Sequence, residues 1–327
     1  MSRNTSIPAP VTAAMDAADP WLPRALGQVE QRLLELASGH GAEVGEDATA
    51  TLRAGGKRLR PLLVLLCAGP SAGERTVAAA TAVELIHMAT LVHDDVLDSA
   101  PVRRGRPTVL ARSGRERATA VGDFLLSRAF GELAAVGDSE AIALLSAASS
   151  SLARGELLQR EGAFDLDLSE EDYFRRCSLK TARLFEASCR VGRGSTSETG
   201  LDEVGEFGTR IGLAFQLLDD VLDVVGPPER TGKAVGTDLL DGTVTLPLIW
   251  ARAADPSLAS EGLESLDVDS AAEICQRIVA TGATERVRER AGDEIVAAKA
   301  SLGRAGLDQE EIRLFSLIAD GVVERYS

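Results

Sequence analysis

Aromatic side chains are scarce in this chain: Phe, Tyr and Trp together account for 4% of 327 residues. β-Branched runs are short, and polarity nowhere alternates with period two for long enough to build a sheet. Histidine is rarer still, with only His40, His87 and His93, too few for a metal-dependent phosphohydrolase site built on several His ligands. The four cysteines, Cys67, Cys177, Cys189 and Cys275, form no CxxC pair and are too sparse to staple a chain of this size. They read as buried thiols in a reducing cytoplasm. Basic residues are outnumbered, 35 Lys plus Arg against 50 Asp plus Glu, for a net charge of −15. That balance argues against general nucleic-acid or anionic-membrane binding, which needs a basic face. The longest apolar run, Leu62 to Ala68, is far too short to span a bilayer, and the N-terminus shows no secretory-signal pattern. No internal repeat suggests a solenoid. A cytoplasmic globule that is not an integral membrane protein is the expectation.

What remains is helical material in quantity. Hydrophobic residues make up 45% and charged ones 26%, ample for a core. Residues 1–20 are rich in Ala, Pro, Ser and Thr without apolar periodicity and predict a disordered arm. From Trp21 onward Ala, Leu, Glu and Arg recur at three- and four-residue spacing. Helices are predicted over Thr76–Leu97, Glu116–Leu133, Glu140–Gln159, Glu170–Val191, Glu203–Val225 and Thr243–Arg252, punctuated by Gly and Pro clusters. Thr76–Leu97 is apolar almost all round and is therefore a buried helix. The economical reading is a disordered arm over 1–20 and one all-α domain over 21–327.

Two segments stand out from this background. Asp94-Asp95-Val96-Leu97-Asp98 and Asp219-Asp220-Val221-Leu222-Asp223 both read DDVLD, and both follow an apolar helical run. On a helix the first and fifth residues share a face and the second lies about 100° away. Each motif therefore sets three carboxylates around one helix end, and these repel one another unless cations neutralise them. Oxygen-only ligands favour a hard cation such as Mg²⁺. A single acidic run is as readily a solvated helix end. A second copy 125 residues later points instead to six carboxylates around one cavity.

The cations gather nearby in sequence. Arg53, Lys57, Arg58 and Arg60 flank Gly55-Gly56, and Arg103, Arg104 and Arg106 follow the first aspartate motif. Guanidinium groups grip phosphate oxygens bidentately, Lys grips them as a point charge, and paired glycines let backbone approach an anion. Basic clusters alone are usually solvated surface. Beside a carboxylate cage they indicate a metal-chelated diphosphate and a second phosphate held without metal. Lys180 and Lys233 would add charge to the same site.

The segments GGKRLRP (55–61), HDDVLDSAPVRRGRPT (93–108), GDFLL (122–126), LKTARLFEASC (179–189), FQLLDDVLD (215–223) and GKAVGTDLLDGTVTLP (232–247) together resemble the trans-type polyprenyl diphosphate synthases, from about residue 25 to the C-terminus. The resemblance implies an all-α, single-domain helical bundle around a deep central cavity, usually a homodimer. It implies head-to-tail condensation of isopentenyl diphosphate onto an allylic diphosphate. By motif position, Asp94, Asp95, Asp98, Asp219, Asp220 and Asp223 would hold about three Mg²⁺ ions on the allylic diphosphate, with Arg103, Lys180 and Lys233 on that same group. Gly56, Lys57, Arg60, His87 and Arg104 would bind isopentenyl diphosphate, and Thr181 and Gln216 would line the reacting centre. One departure stands out: many relatives carry a second Lys where this chain has Thr243.

Stabilising the departing diphosphate would let the allylic C–O bond ionise, the double bond of isopentenyl diphosphate would add to the cation, and apolar walls would exclude water. No side-chain base is required if the released diphosphate takes the proton. Ala89 and Thr90 lie five and four residues before Asp94, about 6–7.5 Å back along the helix. Their small size leaves the tail's passage open, which predicts a product beyond fifteen carbons, of roughly thirty to fifty, with geranylgeranyl diphosphate the runner-up. A lone His on an apolar helix is more often a hydrogen-bonded core residue, but the motif position of His87 favours a diphosphate contact; His93 reads as structural, and Phe215 as either substrate wall or core. A class I terpene cyclase shares the fold and first motif but needs no isopentenyl diphosphate site. A non-catalytic partner subunit of a synthase would generally lack intact aspartate motifs.

Overall fold

The computed structural model describes residues 8–39, 41–56, 58–226, 235–260 and 262–324. Its helices are α1 (Ala9–Ala17), α2 (Trp21–Ser38), α3 (Ala42–Arg53), α4 (Leu59–Ala68), α5 (Glu74–Leu97), α6 (Val109–Ser113), α7 (Arg115–Ala135) and α8 (Ser139–Glu161), then α9 (Glu170–Cys177), α10 (Arg183–Gly194), α11 (Leu201–Val225), α12 (Thr237–Leu240), α13 (Leu246–Ala254), α14 (Val268–Ala280), α15 (Ala283–Leu302) and α16 (Gln309–Glu324). The all-α expectation holds. Among the described residues the only sheet is a two-residue hairpin, Val102–Arg103 paired with Arg106–Pro107.

Two helices organise the rest. α5 is buried on nearly every side, from Ala78 through Leu85 and Ile86 to Val92, because its alanines let α4, α7 and α10 close around it. By length and composition it would cross a membrane, yet most of it is enclosed by protein, and its buried Glu84 is paired with Arg58. It is a core helix. α11 lies against α10 and α15, starting after Gly200 with Asp202 and Glu203 in its first turn, where the helix dipole favours acid. At their other ends both helices carry aspartates and no basic residue in the last turn, which runs against the dipole. The main core spans α1 to α11 and the C-terminal helices, and a smaller apolar cluster under Val224, Leu239, Leu248 and Ile274 supports the far end of α11.

Two expectations need correction. The disordered arm does not hold for residues 8–20: Val11, Ala14 and Ala18 are buried, and α1 packs on α16, with Val11 seated against Gly321. Apolar spacing of three and four was present there, written mostly in alanine. The single helix over Glu170–Val191 is interrupted by one π turn, Ser178–Ala182, and the last of the expected helices begins at Leu246, behind an extended Thr245.

Candidate active site

The π turn is clasped from two sides. A Cβ at Gly155 of α8 would lie 2.5 Å from the Lys180 nitrogen, and one at Gly212 of α11 would lie 2.6 Å from the Ala182 Cα. Only glycine permits both approaches, and π turns recur where a helix is adapted to function. The turn sends neighbouring side chains different ways. Lys180 Nζ lies 2.5 Å from Glu156 Oε2 and donates to Gln159 Oε1 at 3.1 Å, while Thr181 donates to Gln216 Oε1 at 2.7 Å.

On the Lys180 side stands the first aspartate motif, at the end of α5. Burial pushes the Asp94 carboxyl up to about 6 against the pull of Lys180 and Arg103, and among the described residues it forms no salt bridge. Asp95 is buried and accepts from Arg103 Nε at 2.6 Å; the exposed Asp98 is paired with Arg160 of α8. Glu156 is held below its usual range, because Lys180 and Arg160 outweigh its burial.

On the Thr181 side stands the second motif. Gln216 Nε2 donates to Asp220 Oδ1 at 2.8 Å, and the Tyr173 hydroxyl donates to Asp220 Oδ2 at 2.6 Å. Asp220 is buried, and burial pushes its carboxyl up to about 6. Asp219 is exposed. Asp223 Oδ2 accepts the Asp238 backbone N–H at 3.0 Å, tying the motif's last residue to the start of α12.

A third group forms around His87. Burial and then the charges of Arg60, Arg104, Arg103 and Arg58 hold its imidazole well below the usual range, which favours the neutral ring. Arg104 occupies the first turn position of the hairpin with φ 54°, followed by Gly105 at 74°. Such a two-residue turn ordinarily takes Asn-Gly, so an arginine there is strained backbone at a functional place. Arg104 Nη1 comes within 3.1 Å of a Cβ built on Gly56, and Arg60 lies over the Phe185 ring, 4.3 Å from its centroid. Phe185 in turn meets Phe215 at 5.6 Å, the residue before Gln216.

The structure thus gathers Gly56, Arg60, His87 and Arg104 in one group, Asp94, Asp95, Asp98, Arg103 and Lys180 in a second, and Thr181, Gln216 and Asp220 in a third adjoining it. Arg58 of the predicted basic cluster is instead buried structural material, bonded to Glu30, Glu84 and the Leu52 carbonyl. His93 lies on Gly122 of α7, where any Cβ would overlap its ring, and pairs with Asp123 at 3.3 Å, a structural contact. Ala89 is buried and Thr90 bonds the His87 carbonyl at 2.8 Å. Lys57 and Lys233 lie outside the described residues. Sequence reading passed over Glu156, Gln159 and Arg160, whose spacing of three and four along α8 was the available signal, and also Tyr173, for which there was none.

Among the described residues no three His, Cys, Asp or Glu side chains are gathered closely enough to hold an ion alone. The donors present are carboxylates at the ends of two helices, with Arg103 and Arg160 paired to the first set. That arrangement fits a hard divalent ion completed by phosphate oxygens and water, the way Mg²⁺ is commonly held.

Comparison with known proteins identifies the family. The family model described as Polyprenyl synthetase matches residues 42–280. The chain is 39% identical to the heptaprenyl diphosphate synthase component 2 of Geobacillus stearothermophilus, over 80% of this chain and 83% of that protein. It is 37% identical to the octaprenyl diphosphate synthase of Escherichia coli, over 76% and 80% respectively. The crystal structure of a polyprenyl synthase from Caulobacter crescentus, complexed with calcium and isoprenyl diphosphate, superposes with a TM-score of 0.87 at 30% identity, covering 98% of this chain and 99% of that one. The chain belongs to the polyprenyl synthetase family and is a prenyltransferase of the trans-isoprenyl diphosphate synthase kind.

Proposed function

We propose that this chain condenses isopentenyl diphosphate head-to-tail with an allylic diphosphate, giving a polyprenyl diphosphate of roughly thirty to fifty carbons. The observation that carries this reading is the π turn, whose Lys180 is paired with Glu156 and bonded to Gln159 while Thr181 is bonded through Gln216 to Asp220. Its support for the length is that relatives are named for seven and eight prenyl units and that small residues stand at Ala89 and Thr90.

In this reading Asp94, Asp95 and Asp98 with Asp219, Asp220 and Asp223 form the carboxylate set for about three Mg²⁺ ions. When bound, the ions neutralise the diphosphate and make it a better leaving group. Arg103, Lys180 and Lys233 grip the allylic diphosphate and stabilise the charge that grows on it as the C–O bond breaks. Gly56, Lys57, Arg60, His87 and Arg104 hold isopentenyl diphosphate. His87, neutral among arginines, can donate one N–H and add no charge. Thr181 and Gln216 face the developing cation. The apolar faces of α5, α10 and α11 keep water from it.

We place the enzyme in the cytoplasm as a homodimer; the four buried free cysteines suit a reducing compartment. No structural observation favours a terpene cyclase, and both aspartate motifs are intact, unlike a non-catalytic partner. Mass spectrometry of products from isopentenyl diphosphate with allylic starters of three lengths, plus Mg²⁺, tests the reading. The isolated chain should elongate the starter past fifteen carbons, and Asp94→Ala with Asp219→Ala should abolish elongation. Failure of the isolated chain to incorporate isopentenyl diphosphate, or full activity in that double variant, refutes it.

A further inference from the structure

Tyr173 is one of only two tyrosines in the chain, is fully buried, and belongs to none of the motifs above. Its hydroxyl begins a relay of three hydrogen bonds: to Asp220 at 2.6 Å, from Gln216 to Asp220 at 2.8 Å, and from Thr181 to Gln216 at 2.7 Å. The direction of this relay follows from what each group can do. A carboxylate only accepts, so Tyr173 and Gln216 both donate to Asp220. Gln216 must therefore turn its NH₂ to Asp220, because the flipped amide would set oxygen against oxygen. Its carbonyl then faces Thr181, whose proton is committed to it. What Thr181 has left to offer is lone pairs.

We propose that Tyr173 is a positioning residue for prenyl transfer: by anchoring Asp220 it fixes the amide of Gln216 and keeps the Thr181 hydroxyl an acceptor at the reacting centre. This rests on the prenyl-transfer reading above. An acceptor complements developing positive charge, whereas a hydroxyl free to rotate its proton toward that charge opposes it. With the phenol gone, Asp220 keeps its bond from Gln216 but loses its second anchor, and its loosely defined terminal torsion lets amide and hydroxyl drift together. The ring needs no hydroxyl to stay in place: it meets Phe174 edge-on at 5.3 Å and lies 5.4 Å from the Arg176 guanidinium. Tyr173→Phe therefore removes the relay's first link, together with the hydroxyl's interaction with the Cys177 thiol, and leaves the ring in place.

In the full-length enzyme, Tyr173→Phe should lower kcat about tenfold, the scale of a lost hydrogen bond to a charged group. The KM for isopentenyl diphosphate should stay close to the parent's, while the melting temperature falls by the few degrees that one lost buried hydrogen bond implies. Calorimetric affinity for an allylic thiolodiphosphate, whose bridging sulfur resists ionisation, should change less than twofold in the presence of Mg²⁺. Placed in an Asp220→Asn background, the same substitution should add less than a twofold further loss. An unchanged kcat, losses that multiply across the two sites, or equal weakening of the unreactive analogue overturns the proposal. Should Tyr173→Phe not fold, a second measurement decides: in protein carrying 3-fluorotyrosine at Tyr173 and Tyr326, Gln216→Leu should shift one of two fluorine resonances. Two unmoved resonances overturn it equally. A parent chain that fails to elongate removes the prenyl-transfer reading itself, a result separate from any of these.

Discussion

Lys180 and Thr181, adjacent in the chain, serve opposite walls of one site: the lysine bonds Glu156 and Gln159 on α8, and the threonine bonds Gln216 on α11. In a regular helix two neighbours lie about 100° apart. Here a π turn pinned by two glycines sets their directions.

Gly155→Ala should disturb that arrangement directly. The added methyl would stand 2.5 Å from the Lys180 nitrogen, so the π turn must move, at a cost of about 1–3 kcal/mol in stability. Steady-state kinetics should show kcat reduced at least tenfold. A variant with parental kcat and melting temperature would mean the clasp is not tight.

The pH dependence of stability has a definite sign. Desolvation raises the half-buried Asp94 and the buried Asp220 to about 6 in the folded chain, above the usual aspartate value of about 3.9. Their contribution to stability is therefore fully present below about pH 4 and is lost as pH rises through 6. Without divalent ions, Asp94→Asn should melt higher than the parent at pH 7.5, by ~1–3 kcal/mol of stability, with the advantage fading toward pH 4.5. Calorimetric melting across that range checks it, and an advantage that grows on acidification contradicts the assignment.

Ala89→Phe should shorten the product. Ala89 is buried on α5, a little over one turn before Asp94, so a phenyl group there intrudes on the proposed path of the tail and also overpacks the helix by about 1–3 kcal/mol. An unchanged distribution of chain lengths by mass spectrometry refutes the tunnel placement.

Thr243→Lys adds a cation where the Thr243 hydroxyl now accepts a long, 3.4 Å bond from Gln159, whose other end receives Lys180. A further ammonium beside the leaving group should lower the KM for the allylic diphosphate by roughly three- to tenfold, since phosphate is recognised largely by charge. A higher KM would show that Gln159 must be free to steady Lys180.

The amino-acid sequence alone determined the helical class, the burial of α5, the paired aspartate motifs and two of the cations beside the first of them, Arg103 and Lys180, because periodicity and residue chemistry are local properties. It misread residues 8–20, where alanine carries an apolar spacing that looks like low complexity until Val11 meets Gly321. Only the tertiary structure decided that Asp220 is anchored by Tyr173, that Asp223 holds the start of α12, and that Arg58 braces the core while Arg60 and Arg104 surround His87. Whether a carboxylate or guanidinium meets a ligand or a neighbour depends on which side chains arrive from distant parts of the chain, and no spacing along one helix encodes that.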